Sequence, residues 1–192
     1  MNYSLPKTVM NNGKELEIRY DFRVILDIME IINDPELAQE DKAEAIINIF
    51  YVNPEEVTDV VEAIKECFTF IDAGQEQKKK KSAKLVDWTQ DFQYIISPIN
   101  RVLGTEVRAI PYNIEDNTGG LHWWTFMSAY MEIGTECLFS QIVNIRDKKA
   151  RGKKLEKYES EWYRRNADIV NIKTHYSESE EAFFREWGGK HG

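Results

Sequence analysis

The sequence predicts a mainly α, bundle-like domain carrying a small N-terminal β-hairpin. Three observations support that class. Glycine and proline are scarce, 10 and 5 of 192 residues, which disfavours a turn-dense β sandwich. Apolar residues recur at helical spacing through most of the chain. Strict period-2 alternation occurs in one place, near the N-terminus.

That place is the expected hairpin. Residues 5–10 and 14–20 read as two strands joined by Asn11-Asn12-Gly13, because Asn-Gly supplies the positive φ values of a tight turn. Leu16, Ile18 and Tyr20 alternate with charged residues, so one face is buried, while Glu15 and Glu17 face water. This is the only β element expected, and two strands alone are marginal, so it must lean on helices.

Asp21 suits an N-cap, and Phe22, Ile25, Leu26, Met29 and Ile32 follow at helical spacing until Asn33-Asp34-Pro35. Asp27 and Glu30 fall on that helix's polar side. A short second helix shows Ala43, Ile46, Ile47 and Phe50 on one face. Asn53 as cap and Pro54 in the first turn open a third, with the stripe Val57, Val60, Val61, Ile64, Phe68 and Ile71, ending at Gly74. The next stretch contains Lys78-Lys79-Lys80-Lys81 and has no apolar side chain beyond Ala83, so it reads as a solvated linker or loop. The expected organisation is therefore residues 1–74, a linker at 75–85, and a helical part at 86–192 packed with the first as one domain.

Asp87 caps a helix bearing Trp88, Phe92, Ile95, Ile99 and Val102, which Pro98 is expected to kink or break. The chain then reads as irregular from Gly104 to Asn117-Thr118-Gly119-Gly120. A very apolar helix runs from Leu121 to about Ile133, and another follows with Leu138, Phe139, Ile142, Val143 and Ile145. Beyond the basic residues 148–154, Leu155, Tyr158, Trp162, Asn166 and Ile169 mark a further helix. The expected core contains Phe22, Ile25, Leu26, Met29, Ile64, Phe68, Phe92, Ile95, Trp124, Ile142 and Val143.

Charge and chemistry narrow the function. Lys+Arg total 25 against 33 Asp+Glu, a net charge of −8 that repels phosphate backbones, so no nucleic-acid partner is expected. No aromatic residue interleaves the lysine run, so it offers no base-stacking surface. No apolar run is long enough to span a bilayer, and residues 1–6 show no signal-peptide pattern. Cys67 and Cys137 form no CxxC pair and read as buried, inert thiols. The histidines, His122, His175 and His191, are scattered and lack metal-ligand spacing. There is no phosphate-binding glycine loop and no GxSxG elbow, so no catalytic residue, metal or cofactor is expected. His122, among aromatics, reads as a structural residue at a helix start.

The apolar surplus carries more information. Trp123, Trp124, Phe126, Met127, Tyr130, Met131 and Ile133 occupy nearly every azimuth of one helix, which must be buried on all sides or face a partner. Near the end, Ser177 to Glu180 form a capping-box pattern before Phe183, Phe184 and Trp187. That segment is expected to be helical and to dock through its aromatics on its own domain or on a partner. The candidate partner-binding residues are Trp123, Trp124, Phe126, Met127, Met131, Phe183, Phe184 and Trp187.

Three stretches carry a family resemblance. Tyr20-Asp21-Phe22-Arg23 leads through a helix to Ile32-Asn33-Asp34-Pro35-Glu36-Leu37, with Phe50-Tyr51 behind. Asp87-Trp88-Thr89-Gln90-Asp91-Phe92 follows a lysine-rich gap. Leu121-His122-Trp123-Trp124-Thr125-Phe126, the most specific, precedes Gln141-Ile142-Val143-Asn144-Ile145-Arg146. In these, over about residues 15 to 165, the chain resembles the bacteriophage gene-product-fifteen family of siphophage tail modules. It departs from the pattern at residues 103–107, and the part from about Asp168 onward lies outside the likeness. The resemblance implies a tail assembly chaperone that binds and solubilises a long helical tape-measure protein, or other tail proteins, in the host cytoplasm. A homo-oligomer is compatible with it. The alternative it implies is a structural tail or connector subunit retained in the virion.

Overall fold

In the computed structural model, which describes residues 4–74 and 83–173, the hairpin forms where the Asn-Gly turn requires it. Strands β1 (Thr8–Asn11) and β2 (Lys14–Glu17) are antiparallel, with Val9 opposite Leu16. Asn12 and Gly13 take φ values of 50° and 78°. Leu16, Ile18 and Tyr20 are buried and Glu15 and Glu17 exposed, as the alternation demands. The chain beyond β2 continues as backbone bridges: Ile18 pairs with Tyr51, and Asp21 with His122.

Eight α-helices follow among the described residues: α1 (Phe22–Asn33), α2 (Gln39–Phe50), α3 (Val60–Ile71), α4 (Trp88–Leu103), α5 (Trp123–Met131), α6 (Leu138–Ala150), α7 (Lys157–Arg165) and α8 (Ala167–Val170). The chain is mainly helical with a small N-terminal hairpin, as composition and periodicity predict. Asp21 and Asp87 act as the expected caps, accepting from the backbone N–H groups of Arg23 and Gln90 at 3.0 and 2.9 Å. Arg19 lies across the C-terminal end of α2 and donates to the carbonyls of Asn48, Ile49 and Tyr51, where the helix leaves acceptors unpaired. One apolar core joins residues from both sides of the lysine-rich stretch, with Phe22, Phe50, Ile95, Trp123 and Phe126 all buried in it.

Four expectations are corrected. Asn53-Pro54 opens only a 3₁₀ turn over Pro54–Glu56, and α3 starts at Val60. The cause is Asn11, buried at the end of β1. Its Oδ1 accepts from the N–H groups of Thr58 and Asp59 at 2.9 and 3.1 Å, and its Nδ2 donates to the Asp59 carbonyl at 2.7 Å. These bonds hold residues 58–59 extended, and Asp59 becomes the cap, accepting from Glu62 N–H at 2.9 Å. Pro98 does not break its helix: α4 runs through it, because burying Ile95, Ile96, Pro98 and Ile99 outweighs the roughly 3 kcal/mol of an interior proline. Between Gly104 and Gly120 the chain is not irregular. It forms a 3₁₀ turn at Val107–Ala109 and a second small hairpin, β3 (Tyr112–Asn113) with β4 (Thr118–Gly119). Buried Asn117 fastens that hairpin to the first, donating to Glu17 Oε1 and the Ile18 carbonyl at 3.0 Å each.

The fourth correction concerns the core. Phe22, Ile25, Ile95 and Ile142 are buried, and Leu26, Met29, Ile64, Phe92, Trp124 and Val143 are partly buried against the core. Phe68 is exposed, because α3 turns Ala63, Cys67 and Phe70 inward instead. Val60, Val61, Val102, Leu138 and Tyr158, placed on apolar helix faces by periodicity, are exposed as well.

A buried ion pair ties the later helices to α4. Asp91 on α4 faces Arg146 on α6 through two bonds of 2.5 and 2.9 Å. The guanidinium also donates to the carbonyls of Leu85, Ile169 and Val170. All five of its N–H donors are therefore used, which is the condition under which a buried arginine is tolerated.

Candidate functional site

The Leu121-His122-Trp123-Trp124 block sits where three elements meet. Gly119 and Gly120 lead into it with φ values of 77° and 76°. A Cβ at Gly119 would stand 2.5 Å from the Pro111 carbonyl oxygen, and one at Gly120 would collide with the Asp21 carboxylate, so the close approach requires glycine. Asp21 is buried and accepts from Leu121 N–H at 2.7 Å and from the Arg23 guanidinium at 3.0 Å. Backbone bonds on either side, Phe22 N–H to Leu121 carbonyl and Trp123 N–H to Tyr20 carbonyl, stitch the block to the start of α1.

Each side chain of the block then has a structural duty. His122 caps α5: its Nδ1 accepts from Trp124 N–H at 3.0 Å, so Nε2 carries the proton and donates to the Pro6 carbonyl at 2.8 Å. The ring stacks on Tyr20 at 5.2 Å between centroids. Burial, aided by the nearby Lys7 charge, holds its pKa below the ordinary value, so the imidazole is neutral. With both nitrogens committed, His122 is a positioning group, not an open base. The two indoles bind the end of α3: Trp123 Nε1 donates to the Ile71 carbonyl and Trp124 Nε1 to the Phe70 carbonyl, each at 2.8 Å. Those carbonyls are among the last of the helix, and that of Phe70 also accepts from the Ala73 N–H of the following turn at 3.0 Å.

The structure thus separates the candidate partner-binding residues. Trp123 and Phe126 are fully buried, with Phe126 stacked on Phe22 at 4.7 Å, and no partner reaches them in this conformation. Trp124 and Met127 are partly buried against the same core. Met131, at the far end of α5, is 59% exposed. Phe183, Phe184 and Trp187, with the helix expected there, lie outside the described residues, as do His175 and His191.

A different surface is left uncovered. On α3, Val60, Val61 and Phe68 are 52%, 80% and 40% exposed, with Ile64 between them. At 3.6 residues per turn these four fall within about 100° of arc. Val60 also lines a groove of about 620 Å³ between α2 and the start of α3, floored by Ala43, Ile47 and Pro54. Glu40, Glu44 and Glu55 stand at its edge. The result is an apolar track about two helical turns long on α3, which meets at Val60 a groove edged by carboxylates. Sequence reading missed it because the stripe on α3 looked like core. The available signal was its width: Ala63, Cys67 and Phe70 extend the apolar arc to roughly half the helix, more than one packed face needs.

The cysteines are not reactive centres of this surface. Burial pushes the Cys67 thiol up to about 12, and Cys137, partly buried, caps α6 by accepting from Ser140 N–H. Among the described residues no group of His, Cys, Asp and Glu is arranged to hold a metal ion, and no helix is long and apolar enough to cross a membrane.

Neither a curated protein nor a solved structure shows detectable similarity to the chain. The family model described as Bacteriophage Gp15 protein matches residues 1–172, which takes in both hairpins and all eight described helices. The chain therefore belongs to the bacteriophage Gp15 protein family.

Proposed function

We propose that this phage protein is a non-enzymatic tail assembly chaperone, which holds a long helical tape-measure protein soluble in the host cytoplasm while the tail is built. The observation that carries the reading is the uncovered track on α2 and α3. Val60, Val61, Ile64 and Phe68 present an apolar face that a partner helix can cover, with anchors spaced one turn apart. The carboxylates of Glu40, Glu44 and Glu55 favour a partner helix flanked by lysine or arginine. The net charge of −8 keeps loaded complexes mutually repelling and soluble. Family membership supplies the phage setting.

Co-expression with a tape-measure segment tests the proposal. Wild-type protein is expected to carry the segment into the soluble fraction and to co-elute with it, whereas V61S/F68S, folded normally, loses both. If the double variant solubilises the segment as well as wild type does, the track is not the docking face. If wild type leaves the segment insoluble, or if purified virions contain this protein in many copies, the chaperone reading fails and a structural tail subunit takes its place.

A further inference from the structure

Positive charge is concentrated in one part of this acidic chain. Residues 146–165 hold nine Lys and Arg against four Asp and Glu, although the whole chain carries −8. Three of the nine are committed to carboxylates: Arg146 to Asp91, Lys148 to Glu159 and Arg151 to Asp147. Among the described residues, Lys153, Lys154, Lys157, Arg164 and Arg165 form no ion pair. Lys154, Lys157 and Arg164 are exposed and line a hollow of about 730 Å³ along α7, which Glu156 and Glu161 share.

The outer face of α7 is therefore basic with an aromatic among the cations. At 3.6 residues per turn, Lys157, Tyr158, Glu161, Arg164 and Arg165 fall within about 120° of arc. Tyr158 is 66% exposed. The groove between α2 and α3 has the opposite character, with exposed Glu40, Glu44 and Glu55 above an apolar floor of Ala43, Ile47 and Pro54. A helix flanked by lysine and arginine suits that groove, and α7 is such a helix on this chain's own surface. Both surfaces stand open in the same fold, so they meet only between molecules.

We propose that a second copy of this chain seats the outer face of its α7 in the α2–α3 groove, with Lys157 and Arg164 against Glu40, Glu44 and Glu55. Tyr158 supplies the aromatic for the apolar floor. The contact joins two different surfaces, so it is heterologous and adds copies head to tail until a ring closes. A phosphate backbone is the weaker match for the same cations, because the rest of the chain is acidic and repels it. Groove and track meet at Val60, so a client helix and a second copy compete there, but the self-contact does not rest on the chaperone reading.

Sedimentation of the full-length protein alone tests it, with no tape-measure segment present. The average mass is expected to rise with concentration at low salt. It should return to that of the monomer at about 1 M salt, where the screening length falls to about 3 Å. K157E/R164E and E40K/E44K, all at exposed positions, are each expected to stay monomeric, having two surfaces of like sign. Mixed in equal amounts, they should associate again, which also shows that both are folded. E161Q, which removes a carboxylate from the basic face, should associate at lower concentration than wild type. A monomeric wild type at low salt would overturn the proposal, as would undiminished association of K157E/R164E or a mixture that stays monomeric. So would binding of labelled DNA by wild type at physiological salt that is lost in K157E/R164E, because the occupant would then be nucleic acid.

Discussion

Helix α5 and helix α3 are both strongly apolar, yet they use that apolarity in opposite ways. α5 has aromatic or sulfur-bearing side chains at almost every azimuth, and its first turns are consumed inside the molecule, where Trp123 and Phe126 are fully buried. α3 has a clean one-sided stripe, and half of it stays in water. What separates them is the fate of their polar atoms. The α5 indoles find acceptors in the open end of α3, and His122 finds one donor and one acceptor, so burial leaves nothing unpaired. The stripe on α3 has no polar atom to satisfy, and among the described residues no neighbour covers Val60, Val61 or Phe68. An apolar pattern shows that a surface must be covered, but not by what.

Breaking the buried half of this comparison has the largest expected effect. Trp123→Ala empties a fully buried site and orphans the Ile71 carbonyl, and should cost about 3–5 kcal/mol, read as a large fall in the urea midpoint. A loss below about 1 kcal/mol would mean that the junction of α5 with α3 is not part of the cooperative core.

His122 gives the next effect, and it depends on pH. Its folded pKa lies below the ordinary 6.5, so as pH falls through 6.5 the unfolded chain takes up a proton before the folded one does. Stability should therefore decline on going from about pH 7 to about pH 5.5, with a slope of at most about 1.4 kcal/mol per pH unit. His122→Asn keeps a capping acceptor for Trp124 N–H but cannot titrate, so its urea midpoint should change less over the same interval. Parallel curves for the two proteins would assign the dependence elsewhere.

Trp124→Phe sharpens the comparison further, since it keeps an aromatic ring but removes the N–H that binds the Phe70 carbonyl and part of the ring system packed on Phe70. The expected cost is about 1–2 kcal/mol by chemical denaturation. The exposed half of α3 should give the smallest change. Val61→Ser and Phe68→Ser together are expected to alter stability by no more than about 0.5 kcal/mol each. Should they destabilise as strongly as Trp123→Ala, the outer face of α3 would be core in solution, and the docking track would not exist.

Much of the molecule follows from local sequence. Asn12-Gly13 dictates the first turn, Asp21 and Asp87 cap the helices they precede, and the alternation of Leu16, Ile18 and Tyr20 orients β2 and the residues after it. These are consequences of backbone sterics and of hydrogen bonds between residues two or three apart, and a single sequence displays them. What the sequence could not decide depends on partners far away in the chain. Asn11, some 47 positions before Thr58, postpones the start of α3; Asn117, a hundred positions after Glu17, binds the second hairpin to the first. The rotation of α3 belongs to the same class. Its apolar arc spans about half the helix, and which part turns inward is set by the shape of the core around Phe50 and Trp124, both packed on Phe70. Local chemistry therefore determined the elements. Tertiary packing alone determined which apolar face was closed and which was left exposed.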